Sequence, residues 1–129
     1  MILIAGGSSQ GKTAFLRGCE EKTGKPGRLS EGDGLCDPWQ EAFGKEILLH
    51  FHGYIRQVLE AGEDPQQFVR QILKQMPEYV TIDEVGCGIV PIKRCGRDYR
   101  EACGEAGQLL AARAEQVYRV VCGIGTRIK

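Results

Sequence analysis

The 129-residue chain has the length of one globular domain, and its 42% hydrophobic residues can supply a core. Its 17 Lys and Arg balance its 17 Asp and Glu, so charge gives no support to a nucleic-acid or membrane partner, and no apolar run is long enough to span a bilayer. We therefore expect a single domain over residues 1–129 in the cytoplasm, since the immediate first strand leaves no room for a cleavable leader.

A short buried strand followed by a glycine-rich loop is the first predicted element. The apolar residues 1–5 predict the strand, and a helix is expected over residues 14–22. Between them GGSSQGKT satisfies G-x-x-x-x-G-K-[ST], a pattern whose backbone N–H groups cradle phosphates. A glycine-rich turn could match by chance, but the order strand, loop, helix favours nucleotide binding. The predicted nucleotide-binding residues are Gly6, Gly7, Ser8, Ser9, Gln10, Gly11, Lys12 and Thr13.

Two side chains of this loop suit a nucleotide and its counter-ion. Lys12 can reach the β- and γ-phosphates, and the Thr13 hydroxyl can ligate Mg²⁺. We therefore expect ATP or GTP as substrate, with Mg²⁺.

The next segment, residues 23–37, is rich in Gly, Pro and charge and predicts a loop. Asp37 followed by Pro38 predicts the N-cap and first residue of a short helix ending near Phe43, with Gln40 completing a capping box.

Residues 46–52, EILLHFH, allow two interpretations. They form a buried strand ending at Gly53, with a helix over residues 54–61, or they belong to one long helix. Apolar residues at every fourth position from Trp39 to Leu59 favour the helix, whereas Gly44 and Gly53 argue against an uninterrupted one.

A helix with clear start and stop signals follows, and then a strand. Asp64 and Pro65 begin the helix, Pro77 ends it, and the strand YVTID closes on Asp83 and Glu84. An apolar strand closing on an acidic residue is typical of the second Mg²⁺-organising element of phosphoryl-transfer enzymes. The alternative is an ordinary strand followed by a solvated turn.

The last third predicts a glycine-punctuated loop over residues 85–91, a helix over 93–115 and a strand over 117–124. Gly125 and Thr126 are expected to turn the chain into an edge strand over residues 127–129. The helix begins with Arg94, Arg97 and Arg100, and cations there oppose the helix dipole unless an anion lies among them. A solvated basic face is the alternative. Gly104 and Gly107 inside this helix predict a close backbone approach.

Together these elements predict an α/β fold, P-loop NTPase-like, with a mainly parallel sheet flanked by helices and a short antiparallel C-terminal edge strand. None of the six cysteines shows C-x-x-C spacing, so we expect free, mostly buried thiols and no zinc site.

Three segments carry motifs of one enzyme family: MILIAGGSSQGKT, DEVGCGIVPIKRCGRDYREACGEAGQLLA and AEQVYRVVCGIGTRIK. The second is similar to E-V-G-x-G-I-V-P followed by R-x-x-R-x-[FY]-R. Together they resemble the bifunctional adenosylcobinamide kinase/adenosylcobinamide-phosphate guanylyltransferase family of cobalamin biosynthesis. The resemblance assigns phosphate binding to the glycine-rich loop, a functional element to residues 84–86, the arginine cluster to residues 94–100, and strand rather than helix to residues 47–50.

The resemblance implies a kinase that transfers a phosphoryl group to a hydroxyl of a corrinoid, and a homo-oligomer, expected to be a trimer. A nucleotide-binding regulatory or scaffold protein without catalysis is the second interpretation, motivated by the shortened middle of the chain. The catalytic residues expected are Lys12, Glu84, Arg94, Arg97 and His52, and the metal ligands expected are Thr13, Asp83 and Glu84.

Guanylyl transfer in this family uses a histidine in a segment that residues 23–37 do not reproduce. Guanylyl transfer by this chain would therefore need another nucleophile. His52, at the end of the predicted second strand and on the same face as His50, is the candidate replacement nucleophile. A partly buried histidine bonded to a neighbouring loop is the alternative.

Overall fold

A six-stranded sheet organises the computed structural model, which describes residues 1–24, 26–85 and 94–129, without the side chains of residues 94 and 95. The strands lie in the order β2-β3-β4-β1-β5-β6, and only the β5–β6 pair is antiparallel. This confirms the predicted α/β class and its antiparallel C-terminal edge. The strands are β1 (Ile2–Gly6), β2 (Glu31–Asp33), β3 (Ile47–Leu49), β4 (Tyr79–Asp83), β5 (Gln116–Val121) and β6 (Ile124–Arg127).

Helices cover both faces of this sheet. They are α1 (Lys12–Lys22), α2 (Phe51–Glu60), α3 (Pro65–Gln75) and α4 (Arg94–Arg113), with a short 3₁₀ helix over Trp39–Ala42. The α3 helix begins as predicted, since the Asp64 side chain accepts a hydrogen bond from the Gln66 N–H at 3.0 Å. In the described part of the chain no helix is long and apolar enough to cross a membrane.

Consecutive residues of β1 point to opposite faces, and each face has its own apolar cluster. Leu3 packs with the aromatic side chains of α2 and α3, where the rings of Phe51 and Phe68 stack at 5.7 Å between centroids. Ile4 packs with Leu16 of α1 on the other face. The strand is therefore buried on both sides, as its continuous apolar run predicts.

The edge strand β2 was not predicted, because residues 23–37 contain no apolar run. It has three residues, and its Gly32 lies where a Cβ would contact the Tyr54 hydroxyl. Nor does Asp37 cap the helix that follows. Its carboxylate accepts from the Asp33 N–H at 2.8 Å, and no side chain caps the 3₁₀ helix in the described structure.

Residues 46–52 contain both a strand and a helix start. β3 ends at Leu49, His50 adopts a left-handed conformation with φ 51°, and α2 begins at Phe51. The long helix is therefore excluded, and so is the predicted position of His52 at a strand end: it lies in the first turn of α2. Gly53 lies inside that helix rather than ending a strand. A glycine is required at this position because the backbone of Gly34 passes directly against it.

In the C-terminal half, the predicted turn, the predicted start of the edge strand and the predicted close approach in α4 are also wrong. The chain turns at Cys122 and Gly123, whose φ values of 50° and 77° suit a tight hairpin, and Gly125 lies in β6 against the Phe15 ring. Gly104 and Gly107 have open space around the position of a Cβ in the described structure, so no close approach explains them.

The thiols are less buried than predicted. Four free cysteines lie in the described part of the chain, of which Cys103 is buried, Cys19 is intermediate, and Cys36 and Cys122 are exposed. Cys87 and the side chain of Cys95 lie outside the described residues.

Candidate functional site

The glycine-rich loop connects the end of β1 to the start of α1 and owes its conformation to two glycines. A Cβ on Gly6 would lie 2.5 Å from the Val120 carbonyl oxygen, and Gly11 has a φ of 92°. Gly11 is the N-cap of α1 without a side-chain cap in the described structure, and the first turn carries no acidic residue. The N–H groups at this helix end are therefore oriented for an anion.

The loop is anchored by a residue that the motif leaves unspecified. The Gln10 carbonyl oxygen accepts from the Gly123 N–H at 2.7 Å, and its side-chain Oε1 accepts from the Cys122 N–H at 2.8 Å. Gln10 therefore joins the loop to the β5–β6 turn. No local pattern could reveal this contact, since its partners are 112 residues apart.

Lys12 and Asp83 meet at the carboxyl ends of β1 and β4, because Gly6 and Asp83 are register partners. The Lys12 Nζ lies 2.6 Å from the Asp83 Oδ1 and donates to the Gly7 carbonyl oxygen at 2.6 Å. Lys12 is only 6% exposed, so its charge is held within the site rather than in solvent.

A cavity of about 270 Å³ opens over this pair. It brings together residues of the loop, the start of α1, the β2–β3 edge and the end of β4: Ser8, Ser9, Gln10, Gly11, Lys12, Thr13, Ala14, Leu35, His50 and Asp83. Thus most of the predicted nucleotide-binding residues, and two of the three predicted metal ligands, line one cavity.

Both ring nitrogens of His52 face Asp83. Its Nε2 lies 3.4 Å from the Asp83 Oδ2, and its Nδ1 accepts from the Asp83 N–H at 3.2 Å. Burial lowers the pKa of the His52 imidazole, an effect that the Asp83 charge partly opposes. A neutral ring with its proton on Nε2 satisfies both contacts. His52 therefore orients the Asp83 side chain from the side opposite Lys12.

His50 is held separately. Its Nδ1 lies 2.9 Å from the Asp33 Oδ1, and its backbone N–H donates to the Thr81 hydroxyl at 2.9 Å. These contacts fix the β3–α2 junction beside the loop.

Glu84, the third predicted metal ligand, is engaged by an arginine that the sequence did not indicate. Arg119 of β5 donates from Nε to the Glu84 Oε1 at 2.8 Å and from Nη2 to the Glu84 Oε2 at 3.0 Å. The Glu84 N–H also donates to the Gly6 carbonyl oxygen at 2.9 Å. The two-pronged pair holds the Glu84 carboxylate toward β5.

The predicted arginine cluster is only partly visible. Arg97 is exposed and Arg100 is half-buried on the first turns of α4, whereas the Arg94 side chain and residues 86–93 lie outside the described residues. The role of the cluster therefore remains a prediction.

The oxygen ligands at the cavity fit Mg²⁺ better than a softer metal. Thr13 offers a hydroxyl and Asp83 a carboxylate, and Mg²⁺ is commonly held by one or two protein oxygens with water and substrate phosphates. Within the described residues, no cluster of three or more His, Cys, Asp or Glu residues suits an all-protein metal site.

The sequence also matches the model of a known family over residues 48–128, described as cobinamide kinase / cobinamide phosphate guanyltransferase. This chain belongs to that family. The matched range includes His52, Asp83, Glu84 and α4 but begins after the glycine-rich loop. Phosphate binding by the loop is therefore inferred from the loop's own sequence pattern and geometry.

Two curated relatives in the cobinamide kinase family show the same similarity. The bifunctional adenosylcobalamin biosynthesis protein CobU of Salmonella typhimurium strain LT2 is 41% identical over 71 residues, which are 54% of this chain and 39% of that protein. The protein of the same name from Escherichia coli K12 is 51% identical over 47 residues, 36% of this chain and 26% of that protein. The matches thus span less than half the length of either relative.

Proposed function

We propose that this chain binds ATP or GTP together with Mg²⁺ and transfers the terminal phosphoryl group to a hydroxyl of cobinamide. The observation that carries the proposal is the Lys12–Asp83 pair, held at 2.6 Å beneath a cavity that the glycine-rich loop encloses. The family's description, which names a cobinamide kinase, supplies the acceptor. The likeness to both curated relatives supports a place in cobalamin biosynthesis.

In this mechanism the loop and the start of α1 bind the phosphates through backbone N–H groups. Lys12 exchanges its Asp83 partner for phosphate oxygens and stabilises the charge that develops during transfer. Thr13 and Asp83, which line the cavity, would hold Mg²⁺, and the ion would neutralise phosphate charge. Glu84 is the third proposed ligand, and it would have to leave its Arg119 pair to join them. Arg94 and Arg97 are proposed to assist from the start of α4.

The transfer itself forms one bond and breaks one. The acceptor hydroxyl oxygen bonds to the γ-phosphorus, and the bond from that phosphorus to the β–γ bridging oxygen breaks. The nucleoside diphosphate leaves with the electron pair, and the hydroxyl proton is released to water.

The direct test is transfer of labelled γ-phosphate from ATP or GTP to cobinamide by the purified chain with Mg²⁺. We expect phosphorylated cobinamide as the product. If nucleotide binds tightly but the label never moves, the kinase proposal is wrong.

A regulatory or scaffold protein that binds nucleotide without catalysis is the second candidate, because the matches span only 39% and 26% of the two relatives. It predicts tight nucleotide binding whose affinity does not respond to added cobinamide. A strong and reciprocal coupling between the two ligands would exclude it.

His52 remains the proposed nucleophile for any guanylyl transfer. Its two contacts with Asp83 would have to break before a ring nitrogen could attack a phosphate. Intact mass after incubation with GTP and Mg²⁺ tests the idea: a GMP adduct that His52→Ala abolishes supports it, and no adduct in the unmodified chain refutes it.

A further inference from the structure

A second and larger cavity, of about 650 Å³, adjoins the cavity over the glycine-rich loop. Leu35 and Asp83 line both cavities, so the two spaces meet where Asp83 contacts Lys12. A volume of this size is typical of a small-molecule site. We call it the inner cavity.

The walls of the inner cavity come from α2 and α4. His52 and Arg56 are four residues apart on α2 and therefore share one face, which lines the cavity. Tyr99 of α4 lines the cavity beside Arg56, with its ring centroid 4.6 Å from the Arg56 guanidinium carbon. The aromatic face holds the guanidinium in place without using its N–H donors.

Arg56 has no carboxylate partner among the described residues, although it is a cation at the mouth of a cavity. Its five N–H donors form a rigid fork suited to oxygen acceptors such as those of a carboxylate or a phosphate. A positioned arginine whose donors are not used by a carboxylate indicates recognition of an oxygen-bearing ligand.

An outer cavity of about 380 Å³, which Asp83 does not line, adjoins the inner one. Arg56 and Tyr99 line both, and Leu59 adds apolar surface to the outer one. The Arg56–Tyr99 pair therefore lies where the space that reaches Asp83 adjoins a second space that Leu59 also lines.

We propose that the inner cavity receives the hydroxyl-bearing arm of the phosphoryl acceptor and that Arg56 binds oxygen atoms of that acceptor. The remainder of a large acceptor lies against the outer cavity. This inference rests on the proposed kinase function and names the specificity residue of its acceptor site.

The test compares Arg56→Ala and Arg56→Lys with a matched control. Arg70→Ala removes another exposed arginine, which lies on α3 and donates a hydrogen bond to the Gln66 side chain. With cobinamide as acceptor, we expect Arg56→Ala to raise the acceptor KM about tenfold, with the nucleotide KM unchanged and Arg70→Ala without effect. The acceptor KM of Arg56→Lys should fall between those of Arg56→Ala and the unmodified chain, because lysine keeps the charge but loses the planar fork.

Two results would overturn the inference while leaving the kinase intact. An acceptor KM of Arg56→Ala equal to that of the control would show that Arg56 does not bind the acceptor. A raised nucleotide KM with an unchanged acceptor KM would assign the inner cavity to the nucleotide.

Failure of the kinase proposal would be visible separately. If the unmodified chain transfers no phosphate, equilibrium dialysis with cobinamide and ATP tests the site directly. Binding that Arg56→Ala weakens, but Arg70→Ala does not, supports the acceptor site without kinase activity. Absence of cobinamide binding overturns both proposals.

Discussion

Lys12 is almost fully buried, and its ammonium contacts the oxygens of Asp83 and Gly7 at 2.6 Å each. Two oxygen partners compensate for the loss of water around the charge. They also hold the ammonium at the position from which it would reach a phosphate chain in the cavity above. On the proposed function, Lys12 exchanges its contact with Asp83 for one with a nucleotide phosphate.

Replacing Lys12 with alanine tests this role. We expect Lys12→Ala to reduce phosphoryl transfer by roughly a hundredfold or more, since a preorganised charge that stabilises the transition state is lost. A coupled ADP or GDP assay measures the rate, and circular dichroism verifies folding. Lys74→Ala, which changes a lysine in the last turn of α3, is the control. A rate of Lys12→Ala close to that of the unmodified chain would contradict the assignment.

The described cysteines differ in reactivity for a physical reason. Burial raises the pKa of the Cys103 thiol to about 11, and a hydrogen bond with Tyr99 only partly opposes this. At about pH 8 the thiol is therefore protonated and inert. We expect iodoacetamide to modify Cys36 and Cys122 in the native protein and Cys103 only after unfolding, as read by peptide mass spectrometry. Equal labelling of Cys36 and Cys103 in the native state would refute this.

At the scale of single elements, the glycines of α2 and α4 have opposite roles. A Cβ on Gly53 would collide with the Gly34 carbonyl oxygen, whereas one on Gly104 meets open space. We expect Gly53→Ala to destabilise the fold by about 1–3 kcal/mol, through overpacking, and Gly104→Ala to stabilise it by up to about 1 kcal/mol, through helix propensity.

Urea denaturation monitored by circular dichroism compares the two variants with the unmodified chain. Each glycine variant is the control for the other, because both place one methyl group inside a helix. A Gly53→Ala variant as stable as the unmodified chain would show that α2 and the β2 edge move apart easily.

Elements whose start, end and apolar pattern all lie within a short stretch of sequence were predicted well. β1, α3 and β4 were predicted to within one or two residues, because apolar runs, an Asp-Pro start and a Pro stop act within a few residues. β2 was not predicted because a three-residue strand centred on a glycine shows no apolar pattern. The start of α2 was placed too late because Gly53 suggested the end of a strand, whereas a glycine is needed there to fit against the Gly34 backbone.

The same distinction holds for the candidate site. The loop motif and Asp83 are local patterns at strand ends, so the sequence predicts both. The anchoring of Gln10 and the Arg119 pair with Glu84 join residues that are 112 and 35 positions apart, and only the sheet order brings them together.

At the scale of the whole molecule, we predict a homotrimer. The basis is the family resemblance together with exposed apolar side chains near the β6 edge, where Val121, Ile124 and Ile128 are 50%, 71% and 64% exposed. Light scattering coupled to size exclusion at micromolar concentration should give about three times the 14.2 kDa chain mass. A monomeric mass would refute the prediction, and Ile124→Lys at the edge is expected to weaken assembly.

The central position of β1 determines when the chain can fold during its synthesis. β1 leaves the ribosome before its two neighbours, β4 and β5, which begin only at residues 79 and 116. Until both have been made, the strand has unpaired edges, and the loop behind it lacks Asp83 and the hairpin that holds Gln10. The nascent chain must therefore keep this apolar strand from pairing wrongly until β4 and β5 have been made. Chaperone contact with β1 is a physical expectation of this strand order.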